Sequence, residues 1–155
     1  MQLTLVAESG IDAREYSNDD SMSNEWVDST LRQWLNHEFL DTAFEDRDAE
    51  ILCSFAGDEE GDKVYLMDKD VDKDFYKQDI VAVRGTDYYQ CIGGRGEDST
   101  VEKYWINNQG EKEEAEASVV TPKYTAGASN DYVDSTGVAV LPKIIITRDQ
   151  NDEEN

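Results

Sequence analysis

Acidic side chains outnumber basic ones by 36 to 14 in this chain of 155 residues, so the formal net charge at pH 7 is −22. Charge of this density repels itself, which weakens the compact state but keeps the chain dissolved and away from nucleic acid and anionic lipid. The fold must therefore leave most carboxylates in water and offset their repulsion with a bulky core. Such a surface favours basic partners and cations, although a general adaptation to solubility or high salt is an alternative interpretation.

The residues for such a core are present in the sequence. Three Trp, eight Tyr and four Phe distinguish the chain from disordered sequences, which lack bulky residues. At 155 residues the chain has the length of one domain, enough to bury about two thirds of its unfolded surface. We therefore predict a single acidic domain over residues 1–147, followed by a disordered acidic tail over residues 148–155.

The sequence contains no signal for export or for membrane insertion. No apolar run approaches the roughly 20 residues that span a bilayer, and the N-terminus lacks the basic and apolar regions of a signal peptide. We therefore expect a cytoplasmic protein without membrane partners. Cys53 and Cys91 lack the spacing of a redox or zinc motif. They could pair, but isolated cysteines are more often small buried apolar residues.

Hydrophobic periodicity predicts helices early in the chain and strands later. Apolar residues at near-helical spacing predict one bent helix, or two short ones, from a cap at Ser29 to Phe44, with a further turn over residues 47–50. Asp68 can cap a short helix over residues 69–76. Strands are predicted over residues 2–7, 51–56, 63–67, 80–83, 88–92, 101–106, 118–121 and 138–147. This order favours an α+β fold. The predicted core residues are Trp34, Leu35, Phe39, Trp105 and Val140.

The helical region carries a family resemblance. Residues 25–44 read EWVDSTLRQWLNHEFLDTAF and resemble the signature W-x-x-S-x-L-R-x-W-L-N-x-x-F-x-x-x-A-F of a bacterial domain family of unknown function, numbered 6273. Further segments resemble that family in the same order, at residues 61–76, 84–88, 104–107 and 140–144. The resemblance extends from about residue 3 to residue 146.

What the resemblance implies is a fold rather than an activity. The pattern is also similar to C-type-lectin-like and formylglycine-generating-enzyme-like folds, which implies a compact mixed sheet, two or three short helices and a loop region for ligand display. The chain departs from the family in two ways. The opening strands of the family are missing, so the chain is shortened at its N-terminus, and Asn107 and Leu141 replace two family arginines. The departures weaken any site that those arginines build.

Neither catalysis nor a cofactor is predicted from the residues. His37 is the single histidine and lies on the predicted helix, whereas a triad needs nucleophile, base and orienting group to converge. The glycines at positions 93, 94 and 96 surround Arg95 but are not followed by the lysine of a phosphate-binding loop, so we predict a turn. We therefore predict that the protein is not an enzyme.

The acidic run over residues 68–79 has the spacing of a calcium loop. Asp68, Asp70, Asp72, Asp74 and Asp79 match loop positions 1, 3, 5, 7 and 12 of an EF-hand. Lys73 occupies the position where the sharp turn needs glycine, and Asp79 is shorter than the usual glutamate. A solvated acidic segment without bound metal is therefore the main interpretation, and specific calcium binding stays open.

Three acidic clusters are the predicted partner-binding residues, with ordinary solvated loops as the alternative. They are Asp58, Glu59, Glu60 and Asp62; Asp68, Asp70, Asp72 and Asp74; and Glu111, Glu113, Glu114 and Glu116. Carboxylates spaced over one face can compete with DNA for a basic groove, because duplex DNA presents about one charge per 1.7 Å. We predict a nucleic-acid mimic that inhibits a basic nucleic-acid-binding enzyme and does not itself bind nucleic acid. It would be a phage or mobile-element protein directed against CRISPR or restriction enzymes, or an immunity protein for a nuclease. The alternative is a C-type-lectin-like display module, which could depend on calcium.

Overall fold

The computed structural model of the protein describes residues 2–18, 22–54, 61–77, 83–107, 115–122 and 128–147. Within these ranges short helices and short strands alternate, which confirms the predicted α+β class. The strands are β1 (Gln2–Val6), β2 (Ser9–Gly10), β3 (Asp12–Ala13), β4 (Val64–Tyr65), β5 (Arg84–Gly85), β6 (Tyr104–Trp105), β7 (Glu116–Val120), β8 (Ala128–Tyr132), β9 (Ala139–Val140) and β10 (Lys143–Thr147). The helices are α1 (Thr30–Trp34), α2 (Leu40–Ala43), α3 (Asp46–Ala49), α4 (Lys73–Lys77) and α5 (Asp87–Cys91).

Residues 30–43 form one continuous helical run, which we call the long helix. A 3-10 turn over Trp26–Asp28 leads into it, and the Ser29 hydroxyl caps it by accepting a 3.1 Å hydrogen bond from the Arg32 amide. A π-helical segment over Leu35–Phe39 joins α1 to α2. The predicted bent helix with its Ser29 cap is therefore confirmed, and α3 confirms the further turn.

The strands within the described residues form three sheets. An antiparallel sheet has the order β1-β10-β4, and β2 pairs with β5 in parallel. The third sheet has the order β3-β9-β6-β7-β8 and is mixed, because β6 pairs with β9 in parallel and with β7 antiparallel. In the first sheet β1 pairs with β10 from Gln2 opposite Thr147 to Val6 opposite Lys143. The two ends of the described chain therefore lie side by side.

The core lies between the long helix and the sheets. Leu35, Trp105 and Val140 are fully buried, as predicted, whereas Trp34 and Phe39 are partly buried and pack against the same cluster. The Trp105 indole N–H donates a 2.8 Å hydrogen bond to the Arg14 carbonyl, which satisfies its only polar atom. The Tyr16 ring packs against it with centroids 5.5 Å apart.

The strand predicted over residues 88–92 is wrong, because those residues belong to helix α5. The Thr86 hydroxyl caps this helix by accepting a 3.2 Å hydrogen bond from the Tyr89 amide. Tyr89 is buried, while Tyr88 and Ile92 are 57% and 41% exposed. Because only one residue of this segment is buried, its apolar residues show neither the helical nor the strand periodicity. Hydrophobic periodicity therefore could not distinguish a helix from a strand here.

Other predicted strands are shorter than expected or broken. The segment predicted over residues 138–147 separates into β9 and β10 around Leu141 and Pro142, because proline has no amide proton for a sheet. In the described part of residues 51–56, only Leu52 makes a bridge, to Ile146. Strand β8 was not predicted, since its sequence ASNDY is mainly polar. The predicted tail and most of residues 80–83 lie outside the described residues.

Candidate functional site

The structure describes half of the twelve predicted partner-binding residues. Asp58, Glu59, Glu60, Glu111, Glu113 and Glu114 lie outside the described residues. The other six divide into two groups. Asp62, Asp68 and Asp72 are buried, whereas Asp70 and Asp74 are exposed and Glu116 is partly exposed at the start of β7.

Asp62 holds the long helix against β4 instead of facing solvent. Its carboxylate accepts hydrogen bonds from Arg32 Nε at 2.8 and 2.9 Å and from Arg32 Nη2 at 2.8 Å. The Trp26 indole N–H adds a third contact at 3.0 Å. A buried carboxylate with these charge-assisted bonds stabilises the fold and is not available to a partner. Asp62, one of the residues predicted to contact a partner, therefore lies in the interior of this structure.

Asp68 and Asp72 form a closed turn within the second predicted cluster. Asp68 Oδ1 accepts hydrogen bonds from the amides of Asp70 and Val71, at 2.8 and 2.9 Å. Asp72 Oδ2 accepts one from the Asp68 amide at 2.7 Å and another from Lys143 Nζ at 2.5 Å. Both carboxylates therefore organise the chain around them, and both of these predicted partner-binding residues are buried in this structure.

This turn also bears on the calcium alternative. An EF-hand loop needs its first, third and fifth side chains to point at one ion. Here the carboxylates of Asp68 and Asp72 accept hydrogen bonds from amides and from Lys143, while Asp70 is exposed. Among the described residues, no group of three or more His, Cys, Asp and Glu side chains is close enough to hold a metal ion. Asp79 lies outside the described residues.

A further group of exposed acids in the described residues was not singled out from the sequence. It follows the long helix and α3, and we call it the acidic helix surface. Its six members are Glu38, Asp41, Glu45, Asp46, Asp48 and Glu50, all exposed. None of them makes an ion pair with another described side chain. The missed signal was the acidic stretch over residues 45–50, in which Arg47 and Ala49 separate the acids.

Several basic side chains in the described residues pair with buried carboxylates. Arg14 pairs with Asp12 at 3.4 Å, Arg32 with Asp62 at 2.8 Å, and Lys143 with Asp72 at 2.5 Å. Each of these three acids has a side chain no more than 8% exposed. Other described bases, such as Lys73 and Arg84, are exposed, but exposed acids outnumber exposed bases and leave a net negative field.

Asp131 on β8 is a further, largely buried carboxylate that pairs with basic side chains. Its carboxylate accepts hydrogen bonds from Lys103 Nζ at 3.1 Å and from the Ser135 hydroxyl at 2.7 Å, and Arg95 lies at 3.4 Å. Burial alone would raise the pKa of this carboxyl group. The hydrogen bonds from Ser135, Lys103 and the Tyr132 amide outweigh burial and lower the pKa below its ordinary value.

The glycine-rich loop is built around Tyr89 and not around a phosphate. A Cβ atom at Gly94 would lie 2.3 Å from the Tyr89 ring, and one at Gly96 would lie 1.9 Å from the Thr100 carbonyl oxygen. The Tyr89 hydroxyl donates hydrogen bonds to the carbonyls of Arg95 and Gly137, at 2.6 and 3.1 Å. The glycines therefore allow close packing of the loop over a buried ring.

His37 and the cysteines form no catalytic arrangement within the described residues. The His37 side chain is exposed and makes no hydrogen bond to another described side chain. Cys53 and Cys91 are both free thiols, and the expectation of buried cysteines is wrong for Cys91, which is exposed, while Cys53 is partly buried.

A cavity of about 620 Å³ lies beside Arg14, whose guanidinium stacks 3.8 Å from the centre of the Trp34 ring. The lining of this cavity includes one base, Arg14, and one acid, Glu15, so the charge of the cavity is mixed.

These features define a mixed α+β protein in which Arg14, Arg32 and Lys143 pair with buried acids, while other acids are exposed. A model of the family described as "Domain of unknown function (DUF6273)" matches residues 2–56. The chain is thus similar to that family over β1 and the helical region. No curated protein and no solved structure matches the chain. In the described part of the chain, no helix is both long and apolar enough to cross a membrane.

The structure explains the matched motif as a set of contacts that hold the fold. Trp26 and Arg32 bind Asp62, and Ser29 caps the long helix. Asn36 binds β4 from both ends of its amide. Its Oδ1 accepts hydrogen bonds from the Lys63 and Val64 amides at 2.8 and 3.0 Å, and its Nδ2 donates to the Val64 carbonyl at 2.9 Å. These motif residues therefore anchor the long helix and do not outline a ligand site.

Proposed function

We propose that the protein is a non-catalytic binding protein whose exposed carboxylates engage a basic protein surface. The observation that carries this proposal is the direction of the charges. Arg32 and Lys143 neutralise buried acids, while the acidic helix surface has no ion pair among described side chains. Uncompensated surface charge destabilises the compact state. A basic partner would convert that repulsion into attraction and would speed the encounter.

The best candidate partner is a nucleic-acid-binding enzyme that the protein inhibits by mimicry. On the long helix Glu38 and Asp41 lie three residues apart, which is about 4.5 Å along the helix axis at 1.5 Å per residue. This spacing is comparable with the roughly 3.4 Å per phosphate of one nucleic-acid strand. We place the protein with phage or mobile-element inhibitors of CRISPR and restriction enzymes, or with nuclease immunity proteins, since all of these would occupy a basic channel.

The second candidate, a C-type-lectin-like display module, has weaker support. The mixed sheet and short helices fit it. Its calcium-dependent form would rest on Asp68 and Asp72, whose carboxylates accept hydrogen bonds from within the chain. We therefore retain the acidic binding protein as the proposal.

The test is displacement of nucleic acid from purified nucleases. A labelled duplex bound to a panel of restriction, CRISPR and toxin nucleases would be titrated with the protein, and anisotropy of the label would report release. We expect release from at least one nuclease, weakening about tenfold or more between about 50 and about 500 mM salt. Release that is insensitive to salt, or no release from any nuclease, would overturn the mimicry.

A pair of matched variants tests the location of the binding charges. The first combines Glu38→Gln, Asp41→Asn, Glu45→Gln and Asp46→Asn on the acidic helix surface. The control neutralises the same number of exposed acids on α5 and beyond it: Asp87→Asn, Glu97→Gln, Asp98→Asn and Glu102→Gln. We expect the first variant to lose release and the control to keep most of it. Equal loss in both would mean that net charge acts without a defined surface.

A further inference from the structure

One face of the three-stranded sheet is only partly covered. Leu5 on β1 lies directly opposite Ile144 on β10, and Ile144 lies opposite Val64 on β4, so the three side chains share a face. Val64 is fully buried in the cluster that includes Leu35 on the long helix. Leu5 is 43% exposed, and Leu3, opposite Ile146, is 49% exposed. The long helix therefore covers the β4 side of this face and leaves the β1 side open.

An apolar groove lies where this cover ends. It has a volume of about 260 Å³, and all of its lining residues are apolar. Leu5 and Ile144 contribute from the sheet, and Phe39 and Phe44 contribute from the helical side. The groove thus continues the core outward to the edge strand.

Strand β1 has none of the usual protection of an edge. It is the terminal strand of its sheet among the described residues. Proteins protect exposed edges with charged side chains, proline or bulges, because unpaired amides and carbonyls attract other strands. The sequence of β1, QLTLV, contains neither a charged residue nor proline, although 32% of the chain is charged. The edge is therefore ready to pair with an added strand.

Three acids lie next to lining residues of the groove in the sequence. Glu38 adjoins Phe39 in the chain, and Glu45 and Asp46 directly follow Phe44. All three acids are exposed and belong to the acidic helix surface. An apolar segment that enters the groove would place its flanking residues beside these carboxylates, which favour Lys and Arg and oppose Asp and Glu.

We propose that β1 and the apolar groove dock an extended, basic and amphipathic segment of the partner protein, which adds as a strand to the β1 edge. Its apolar side chains, at alternate positions, would contact Leu3, Leu5 and Phe44, and Lys or Arg residues at its two ends would face the acidic helix surface. This inference rests on the proposed function, because it takes the partner to be basic. A second copy of this chain fits poorly, since two molecules of charge −22 repel each other.

The experiment uses a labelled valine–lysine peptide of about ten residues, the length of a long strand, in which valine alternates with threonine and lysines occupy both ends. The controls are a valine–glutamate peptide, with glutamates at the ends, and a peptide with the residues of the first in blocks. Anisotropy measures binding to the whole protein, and amide hydrogen exchange locates the protected strand. We expect the alternating valine–lysine peptide to bind at least about tenfold more tightly than either control and to protect the β1 amides that point away from β10.

Two variants separate the groove from the charge. Leu3→Ser with Leu5→Ser should weaken the alternating peptide about tenfold or more, because the two leucines lose apolar contact. The matched control is Val71→Ser with Tyr88→Ser, which removes two exposed apolar side chains elsewhere and should leave binding unchanged. Amide exchange on the unaltered protein tests the same docking without reliance on the folding of a variant.

The outcomes distinguish this inference from the proposed function. Binding that survives Leu3→Ser with Leu5→Ser but is lost on neutralising the acidic helix surface overturns the docking and supports the acidic surface. Equal binding of the valine–lysine and valine–glutamate peptides at β1 overturns the role of charge in both. Protection, in the free protein, of the β1 amides that point away from β10 overturns the docking as well. In that case, sedimentation distinguishes a second copy from a segment of the same chain.

Discussion

Lys143 on β10 and Asp72 before α4 form a buried ion pair, with Nζ 2.5 Å from Oδ2 and both side chains no more than 5% exposed. Seventy-one positions separate them in the chain. The same Asp72 oxygen accepts the Asp68 amide, so the pair connects the acidic turn to the three-stranded sheet. Although the chain has a large excess of carboxylates, this one is part of the interior.

Lys143→Met should lower the free energy of unfolding by about 3–5 kcal/mol, because the Asp72 carboxylate would stay buried without its counterion. Urea denaturation at neutral pH measures this loss. The double variant, in which Asp72→Asn is added, should recover part of the stability, since no unpaired charge is left inside. Additive losses in the double variant would show that the two side chains do not depend on each other.

Neutralising the acidic helix surface should stabilise the protein. Glu38 and Asp41 lie three positions apart on the long helix, whereas extended backbone at Phe44 separates Glu45 from that helix. Like charges three positions apart on a helix cost about 0.2–0.5 kcal/mol per pair. We expect Glu38→Gln with Asp41→Asn to raise the free energy of unfolding by about 0.5 kcal/mol at low salt. Thermal unfolding at low and high salt checks this, and a gain that does not shrink with salt would contradict an electrostatic origin.

The two tryptophans of the predicted core should differ in their contributions. Trp105→Ala should cost about 3–5 kcal/mol, because the ring is fully buried and its N–H binds the Arg14 carbonyl. Trp34→Ala should cost about 1–2 kcal/mol. Trp34 is only partly buried, and the substitution also removes the stacking contact between its ring and the Arg14 guanidinium. Chemical denaturation of both variants decides, and an equal or larger loss at Trp34 would contradict this ranking.

Tyr89→Phe should have an effect that depends on pH. At pH 7 we expect a loss of about 1 kcal/mol, because the hydroxyl no longer donates to the Arg95 and Gly137 carbonyls. Burial is the main cause that raises the pKa of Tyr89 to about 12, and Arg95 opposes it. From about pH 10 the unfolded chain ionises this phenol while the folded state keeps it protonated, so only the unaltered protein loses this contribution.

The difference in unfolding free energy between the two proteins should therefore shrink as the pH rises above about 10 and change sign before about pH 12, because the rise in the Tyr89 pKa outweighs a loss of about 1 kcal/mol. Urea midpoints across this interval measure the difference directly, and the other tyrosines cancel because both proteins carry them. A constant difference throughout the interval would mean that Tyr89 ionises equally in the folded and unfolded states.

The local sequence was sufficient to predict those elements that are stabilised by interactions between residues close in the chain. Ser29 lies next to the helix that it caps, and the spacing of Leu31 and Leu35 placed the buried face of the long helix. The alternation over residues 2–7 placed β1. These elements and the α+β class followed from the pattern, whereas the C-type-lectin-like assignment stays a prediction.

The acidic clusters could not be interpreted in this way, because burial of a carboxylate is decided by a distant partner. In the sequence Asp62, Asp70 and Asp72 look alike. The structure separates them because Arg32 reaches Asp62 from the long helix and Lys143 reaches Asp72 from β10, while Asp70 stays at the surface. Nothing near these acids in the chain announces either base. Tertiary contacts thus decide which carboxylates a partner can reach.

The pairing of β1 with β10 and of β3 with β9 also determines the order in which the molecule can be completed. Strands β1 and β3 find their strand partners in residues 139–147, at the other end of the described chain. Such pairings fold slowly, because a long loop must close before any contact rewards it. During synthesis β1 leaves the ribosome before β10, so this uncharged strand stays unpaired until β10 has been synthesised. The strand left open at the edge of the finished sheet is thus also the segment that spends longest exposed to aggregation and chaperones.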